Sequence, residues 1–277
     1  LTIKKTTFRN RIFAAPIELM FPGEGQWPRS GYFKFFAERA AGGAAAVCIG
    51  NSSVDSRFTF HGEPISLVLD QEHMSKTAWR HYTSAVQDMG AIAAAELNHC
   101  GNPANPIGID FAIGPMDMIR EDGVRVKAMD DYWINETANK FADAAEFCKD
   151  CGMGMIMVHC GHGGLHSQFL SPLTNQRDDE YGGSAVNRAR FTKLVLQRIR
   201  DRVGPDFIIE ARVGVDEFAP GGATVEDSIT LFKEIEDIID IAHCSGGLHS
   251  IERLVVRTHP TLFYPRGCNS HLAAEVK

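Results

Sequence analysis

The sequence contains no run of 18 or more apolar residues, so it predicts no membrane-spanning helix. Its first 13 residues, LTIKKTTFRNRIF, also lack the apolar block of a secretory signal peptide. Both absences argue against membrane insertion and secretion. We therefore expect a cytoplasmic protein without a membrane partner.

The chain also lacks an excess of basic residues. It has 28 Lys and Arg against 35 Asp and Glu, which gives a formal net charge of −7. Binding to nucleic acid depends on clustered cations that neutralise phosphates. A mildly acidic chain therefore argues against nucleic acid as a partner and leaves a small molecule as the expected one. The sequence leaves open whether the protein forms a homo-oligomer.

The sequence contains seven cysteines, an odd number, scattered along its 277 residues. Most lie in apolar segments, so we expect reduced, buried thiols of the kind found in the cytoplasm. Cys148 and Cys151 form a C-x-x-C pair at the end of a helical pattern. Because no second pair follows at metal-site spacing, a structural role is favoured over a redox or metal site.

Short apolar runs alternate with segments of helical period along the chain. Runs with little polar alternation are typical of parallel strands that are buried on both faces. The predicted strands are 11–15, 44–50, 91–98, 155–159, 207–213 and 238–243. The predicted helices are 31–41, 75–89, 134–151, 185–203, 224–235 and 270–277.

This alternation predicts an α/β fold, either a doubly wound sheet or a closed (β/α)8 TIM barrel. Polar and glycine-rich residues follow almost every strand, as in barrel enzymes, which build their sites at that end. The first strand is not followed by G-x-G-x-x-G, the motif that a dinucleotide-binding sheet needs. The barrel is therefore favoured, and the doubly wound sheet remains the alternative.

Only six β/α units are visible, whereas a (β/α)8 barrel has eight. Six units would leave strand edges and part of the core open, at a cost in stability. We therefore expect residues 1–277 to form a single barrel domain that is truncated at its C-terminus, cut from a longer parent protein.

The densest chemical signal lies between Val158 and Phe191. A strand ends in His159 and His162, with glycines beside them that allow a sharp turn. Two imidazoles at a barrel mouth can each donate an N–H to one substrate oxygen and stabilise charge that develops there. Such a pair also occurs as a metal site or as structure, and Glu210 would complete a metal-dependent lyase.

This segment closely resembles the signature of the old yellow enzyme family, which consists of FMN-dependent enoate reductases on a (β/α)8 barrel. The matching letters are H-x-x-H-G-x-L-x-x-Q-F-L-S-P-x-x-N-x-R-x-D-E-Y-G-G-S-x-x-N-R-x-R-F. Further similarity lies at 9–16, 96–101 and 210–213, so the resemblance covers nearly the whole chain. The segment 221–228 resembles larger members that add a 4Fe-4S site and an FAD domain.

The resemblance implies an NAD(P)H-dependent flavoprotein, an ene-reductase that reduces the C=C bond of α,β-unsaturated carbonyl or enoate compounds. His159 and His162 would be the catalytic residues that hold the substrate oxygen. Five positions would bind FMN: Ala15 and Pro16 through the backbone, Asn51 at the ring edge, Glu96 at the pyrimidine, and Arg212 on its N1/O2 side. Arg212 would stabilise negative charge on reduced flavin.

Three residues depart from the family pattern. Gly164 stands where a tyrosine commonly protonates the substrate, so we expect either that water or another group supplies that proton or that the substrates need no such acid. Glu96 replaces a glutamine, and its carboxylate would repel anionic reduced flavin and lower the flavin potential. Glu18 stands near the flavin where relatives often carry Cys or Thr.

The family binds the FMN phosphate at the ends of the seventh and eighth strands, which this chain does not contain. The alternative to an active reductase is therefore a non-catalytic or inactive barrel fragment that lacks the phosphate site.

Overall fold

A computed structural model describes residues 1–60 and 66–277. Its strands are β1 Thr2–Ile3, β2 Thr6–Thr7, β3 Phe13–Ala14, β4 Ala46–Ser53, β5 Phe58–Thr59, β6 Leu67–Val68, β7 Ile92–Asn98, β8 Asn105–Pro106, β9 Phe111–Gly114, β10 Met118–Ile119, β11 Arg125–Ala128, β12 Met155–Cys160, β13 Ile208–Asp216 and β14 Ile241–Gly246. Its helices are α1 Ser30–Ala41, α2 Lys76–Gln87, α3 Asp131–Asp150, α4 Leu165–Leu170, α5 Ala185–Val203, α6 Val225–Ile235, α7 Glu252–Thr258 and α8 Ser270–Val276.

Six of these strands form one curled parallel sheet in the order β14-β13-β12-β7-β4-β3, and β6 pairs with the end of β4. The six follow one another in chain order, without the reversal that marks a doubly wound sheet. The prediction of an incomplete (β/α)8 barrel is thereby confirmed. Within the described residues, β3 and β14 form the two edges of the sheet.

Alternation along the strands separates two apolar cores. One set of side chains points outward and packs against the helices, and the set between them points into the barrel. The outward set includes Val47, Ile49, Ala93, Ala95, Ile156, Val158, Ile209 and Ala211. The inward set includes Ala46, Cys48, Ala94, Met155, Met157 and Ile208. The same inward alternation, followed towards the C-terminal ends of β7, β12 and β13, includes Asn98, His159 and Arg212.

Four long helices begin at a residue whose side chain accepts a backbone N–H of the first turn. These N-cap residues are Ser75, Asp130, Ser184 and Thr224. Each satisfies one of the amides that a helix start leaves without an intrahelical partner. Because α2, α3, α5 and α6 each follow such a cap, the local sequence fixes where each helix starts behind its strand.

A small three-stranded sheet, β10-β11-β9, is inserted between β7 and α3 and was not predicted from the sequence. Its connecting loop carries Met116 and Asp117, which line the main cavity. Across the part of the chain that the structure describes, no helix is both long and apolar enough to cross a membrane.

Several predicted boundaries moved. The last strand was predicted at 238–243, but β14 is Ile241–Gly246 because Ile238 and Ile239 still donate hydrogen bonds to Ile235 at the end of α6. The first predicted strand, 11–15, contracts to Phe13–Ala14. The short helices α4 and α7 were missed, since six or seven residues carry little helical periodicity.

The sheet's outer core gives a direct test of this packing. Ile156 is fully buried on the outer face of β12. We expect Ile156→Ala to lower the free energy of unfolding by about 2–5 kcal/mol, because it loses buried contacts and leaves a cavity. Urea denaturation measures the change. Val186→Ala, at an exposed position on α5, is the control and should change stability by less than about 0.5 kcal/mol. Equal effects of the two substitutions would contradict the assigned packing.

Candidate active site

A cavity of about 870 Å³ opens at the C-terminal end of the parallel strands. Asn51 of β4, Glu96 and Asn98 of β7, His159 of β12 and Arg212 of β13 all line it. Four neighbouring strands therefore deliver polar side chains to one space. Its size suits a small molecule or cofactor.

Arg212 and Glu96 form a buried ion pair inside the barrel, with 3.1 Å between Arg212 Nη1 and Glu96 Oε1. Both residues are less than a tenth exposed. Arg212 Nε and Asn51 Oδ1 are also buried and find no hydrogen-bond partner in residues 1–60 and 66–277. Unsatisfied polar atoms that line a cavity suit a ligand with both donors and acceptors, such as the pyrimidine edge of a flavin.

His159 and His162 belong to a hydrogen-bonded chain of four side chains. His159 Nδ1 lies 3.2 Å from Asn98 Oδ1, and His159 Nε2 lies 2.8 Å from His162 Nδ1. His162 Nε2 lies 2.8 Å from Ser245 Oγ. With the Asn98 oxygen as acceptor, each imidazole donates through Nδ1, and the Ser245 hydroxyl donates to His162. Both nitrogens of each ring are therefore engaged, so a substrate oxygen must replace one of these bonds.

Both histidines are held neutral. Burial is the main cause that lowers the pKa of His159 well below the usual 6.5, and the positive charge of Arg212 lowers it further. Burial also lowers the pKa of His162, with contributions from His159 and Arg212. A neutral imidazole can stabilise a substrate oxygen by hydrogen bonding but carries no extra proton to release.

The backbone at the end of β12 makes this arrangement possible. A Cβ at Gly161 would lie 2.7 Å from the amide nitrogen of Gly214, so only glycine allows β12 and β13 to approach here. His162 adopts the left-handed conformation, with φ of 61°, which is uncommon for a residue other than glycine. The surrounding contacts hold it there, which is typical of a functional position.

Glu18 also lines the cavity, as its predicted place near the flavin requires. Its carboxylate accepts a hydrogen bond from Ser66 Oγ at 3.3 Å. Burial raises the pKa of Glu18 to about 7, and the nearby Glu96 adds to the rise. Glu18 is therefore part of the cavity and not a fully solvated loop acid.

The structure brings most of the predicted residues together. His159, His162, Pro16, Asn51, Glu96 and Arg212 all line the cavity. Ala15 is exposed and lies outside that lining, because the chain at β3 turns its neighbour Pro16 inward instead. Any contact between Ala15 and a cofactor would have to come from its backbone.

Sequence reasoning missed several cavity residues. His249 and His259 stack at 5.3 Å between ring centroids, and His249 stacks on His162 at 5.5 Å. Ser245 and the buried Glu217 also belong to the site. Ser245 lies near the end of β14, where polar residues at strand ends indicated the site, whereas His249, His259 and Glu217 lie outside the strands in segments without periodicity.

Comparison with known proteins is consistent with this geometry. Residues 1–271 match the NADH:flavin oxidoreductase / NADH oxidase family. The chain belongs to this family. The sequence-based assignment to an oxidoreductase family is thus confirmed.

Two curated relatives and one solved structure show how far this similarity extends. An NADH oxidase of Thermoanaerobacter brockii is 30% identical over 287 residues, 99% of this chain and 42% of the relative. A probable N-methylproline demethylase of Rhizobium meliloti (strain 1021) is 34% identical over 240 residues, 85% of this chain and 34% of the relative. The old yellow enzyme homologue from Zymomonas mobilis shares the fold at a TM-score of 0.79 and 21% identity, over 100% of this chain and 85% of that chain.

The chain thus spans less than half the length of these two relatives. Its resemblance to old yellow enzymes is confirmed in fold and family.

The metal-dependent alternative loses its geometric support. Glu210, its third proposed ligand, lies 2.7 Å from His243 Nδ1. His159 and His162 are bound to each other and to Asn98 and Ser245. Among the residues that the structure describes, no three His, Cys, Asp or Glu side chains gather in a way that could hold a metal ion.

Seven free cysteines are also present. Cys148 and Cys151 are buried, and burial raises the pKa of both thiols, which disfavours the reactive thiolate. Cys244 and Cys268 are partly exposed, so the prediction of buried thiols holds for five of the seven.

The buried histidines of this family member predict an acid-sensitive fold. In the unfolded chain an imidazole binds a proton below about pH 6.5, whereas native His159 and His162 resist protonation. The unfolded state therefore binds more protons as the pH falls. We expect each such group to lower the free energy of unfolding by up to about 1.4 kcal/mol per pH unit below that value.

Urea denaturation between about pH 7.5 and about pH 5.5 measures this loss. His162→Gln should show a smaller loss than the wild type. His271→Gln changes an exposed histidine on α8 and should match the wild type. An unchanged pH slope in His162→Gln would show that His162 is protonated in the native state.

Proposed function

We propose that this chain carries the cofactor and substrate site of an FMN-dependent oxidoreductase that uses NAD(P)H. The substrate class is α,β-unsaturated carbonyl or enoate compounds, whose C=C bond is reduced. One observation carries the proposal. A buried cation on β13, with a nitrogen that has no partner among the described residues, faces the same cavity as two neutral imidazoles at the end of β12. This chain is a member of the NADH:flavin oxidoreductase family.

The cavity fits the flavin ring. Arg212 Nε, which has no hydrogen-bond partner in the described part of the chain, can donate to an acceptor of the ring, and Asn51 Oδ1 can accept from a donor. Glu96 offers a second acceptor while it stays paired with Arg212. Bound FMN supplies hydride transfer between NAD(P)H and the substrate, and positioning the substrate against the ring supplies much of the rate.

His159 and His162 would orient the substrate and polarise its oxygen. Both rings are neutral, so each carries one N–H. When this N–H gives up its present acceptor, it can donate to a carbonyl or carboxylate oxygen of the substrate instead. Hydrogen bonds aimed at an oxygen that gains negative charge stabilise the transition state more than the bound substrate. Ser245 and Asn98 hold the two rings in the correct tautomer.

This role of the histidines predicts a split between the two half-reactions. We expect His162→Ala to slow substrate reduction by about 100-fold or more. It should leave reduction of the flavin by NAD(P)H nearly unchanged, because that step needs no substrate oxygen. Anaerobic stopped-flow spectroscopy of the flavin band measures both steps, with His271→Ala as control. Equal slowing of both steps would indicate a general defect and contradict the proposed role.

The Glu96–Arg212 ion pair leads to a prediction about the midpoint potential of the bound flavin. In Glu96→Gln the carboxylate charge is removed and Arg212 is left to stabilise the reduced flavin. We therefore expect the midpoint potential to rise by about 30 mV, which corresponds to about 1.4 kcal/mol for two electrons. Dye-linked redox titration measures it. Glu210→Gln alters a buried glutamate that pairs with His243 and should have a smaller effect. An unchanged potential in Glu96→Gln would contradict the proposed contact with the flavin.

A second candidate is oxidation of an N-methyl amine, favoured by the 34% identity to a probable N-methylproline demethylase. Oxidation of an amine reduces the flavin, whereas reduction of a C=C bond oxidises the reduced flavin. An N-methyl amine would bleach the oxidised flavin without NAD(P)H, whereas an enone would restore the colour of flavin already reduced by NAD(P)H. Failure to retain flavin at all would favour the inactive-fragment alternative.

A further inference from the structure

Reduction of a C=C bond by hydride also requires a proton. Hydride addition to one carbon breaks the π bond and leaves an electron pair that must accept a proton at the other carbon. A cavity built for this reaction therefore needs an acid within reach of the substrate.

The two histidines, Glu96 and Gly164 do not supply that acid, which leaves Glu18, Asp117 and Glu217 as the other carboxyls among the described lining residues. His159 and His162 are neutral, and both nitrogens of each ring are hydrogen-bonded. Glu96 is engaged in its ion pair with Arg212, at 3.1 Å. Gly164 lines the cavity between them without a side chain.

Glu217 is a buried carboxyl that lines the cavity, in the loop after β13. It is 2% exposed. Its Oε2 accepts hydrogen bonds from Ser171 Oγ at 2.7 Å and from the amide of Ala223 at 2.8 Å, and its Oε1 lies 3.4 Å from Ser167 Oγ, to which it can donate when the carboxyl is protonated. All three partners are neutral. Burial raises the pKa of Glu217, and the neighbouring charge of Asp216 adds to the rise.

Ser167 connects this carboxyl to the centre of the cavity. It lies on α4, directly after the segment that carries His162. Its hydroxyl accepts the amide N–H of Gly163 at 3.2 Å and also lies 3.4 Å from Glu217 Oε1. Gly163, Gly164 and Ser167 all line the cavity, so the hydroxyl stands between Glu217 and the space beside the two glycines.

Given the proposed C=C reduction, we propose that Ser167 delivers the proton to the substrate and that Glu217 positions Ser167 and resupplies its proton. The Ser167 O–H bond breaks as the new C–H bond forms at the substrate carbon that did not receive hydride. The Glu217 carboxyl proton moves to Ser167 Oγ at the same time, and water later reprotonates the carboxylate. Hydride from NAD(P)H by way of the flavin and one proton from water thus balance the reduction.

The first test separates proton transfer from hydride supply. Ser167→Ala and Glu217→Gln should each slow reoxidation of reduced flavin by an enone about 100-fold. Reduction of the flavin by NAD(P)H should stay unchanged in both. Glu217→Asp keeps the acid and should recover part of the rate. Ser228→Ala removes a buried hydroxyl that bonds Val215 outside the cavity and is the matched control.

The second test does not depend on rate. In D2O, with an enone that is substituted at the α-carbon, the wild type should deuterate one face of that carbon. Ser167→Ala should incorporate deuterium on both faces of that carbon, because the deuterons then come from unordered water. Infrared spectra of the flavin-free protein supply a third readout. The difference between wild type and Glu217→Gln should contain a protonated-carboxyl band that persists above the pH at which an exposed glutamate ionises.

Wild-type rate and stereochemistry in both Ser167→Ala and Glu217→Gln would overturn the relay while leaving C=C reduction intact. Absence of the Glu217 infrared band would also overturn it. A wild-type enzyme that binds flavin, accepts electrons from NAD(P)H and reduces no enone or enoate would instead overturn the proposed function, and the relay with it.

Discussion

The positive charge of Arg212 is the constraint on which the site depends. A guanidinium cannot lose its proton, so its burial inside the barrel has to be compensated. Glu96 supplies that compensation from β7, two strands away in the sheet. Burial is the main cause that lowers the pKa of His159, His162, His249 and His259, and the positive charge of Arg212 lowers each of them further. Arg212 therefore acts electrostatically on one carboxylate and on four imidazoles of the site.

The fold makes this arrangement possible because a parallel sheet brings the C-terminal ends of its strands to one side. Alternation along β7, β12 and β13 sends Asn98, His159 and Arg212 inward, while their neighbours pack outward against the helices. The apolar inner layer below them includes Met155 and Met157, and Glu96 and Arg212 are themselves buried. Electrostatic interactions in the site therefore act at low dielectric, where they are stronger.

Much of this could be predicted from the sequence. Apolar runs located the six strands, and polar residues after them located the site, because both signals depend on residues close together in the chain. The long motif between Val158 and Phe191 identified the histidine pair. Contacts between distant segments could not be predicted this way. The bond between His162 and Ser245 joins residues 83 positions apart, and the pairing of Glu96 with Arg212 spans 116.

The histidine pair shows why such contacts matter for mechanism. The sequence suggested two free N–H donors, but the structure engages both rings in a chain that runs from Asn98 to Ser245. Substrate binding must then exchange one hydrogen bond for another. This exchange costs less than burying an unpaired donor and keeps the rings oriented before substrate arrives.

The most direct test of this account is a crystal structure of the protein with FMN bound. We predict that the isoalloxazine ring lies in the cavity with Arg212 Nε within hydrogen-bond distance of its pyrimidine edge and with His159 and His162 facing the space above the ring. A ring bound outside the cavity, or an Arg212 side chain directed away from the ring, would contradict the account.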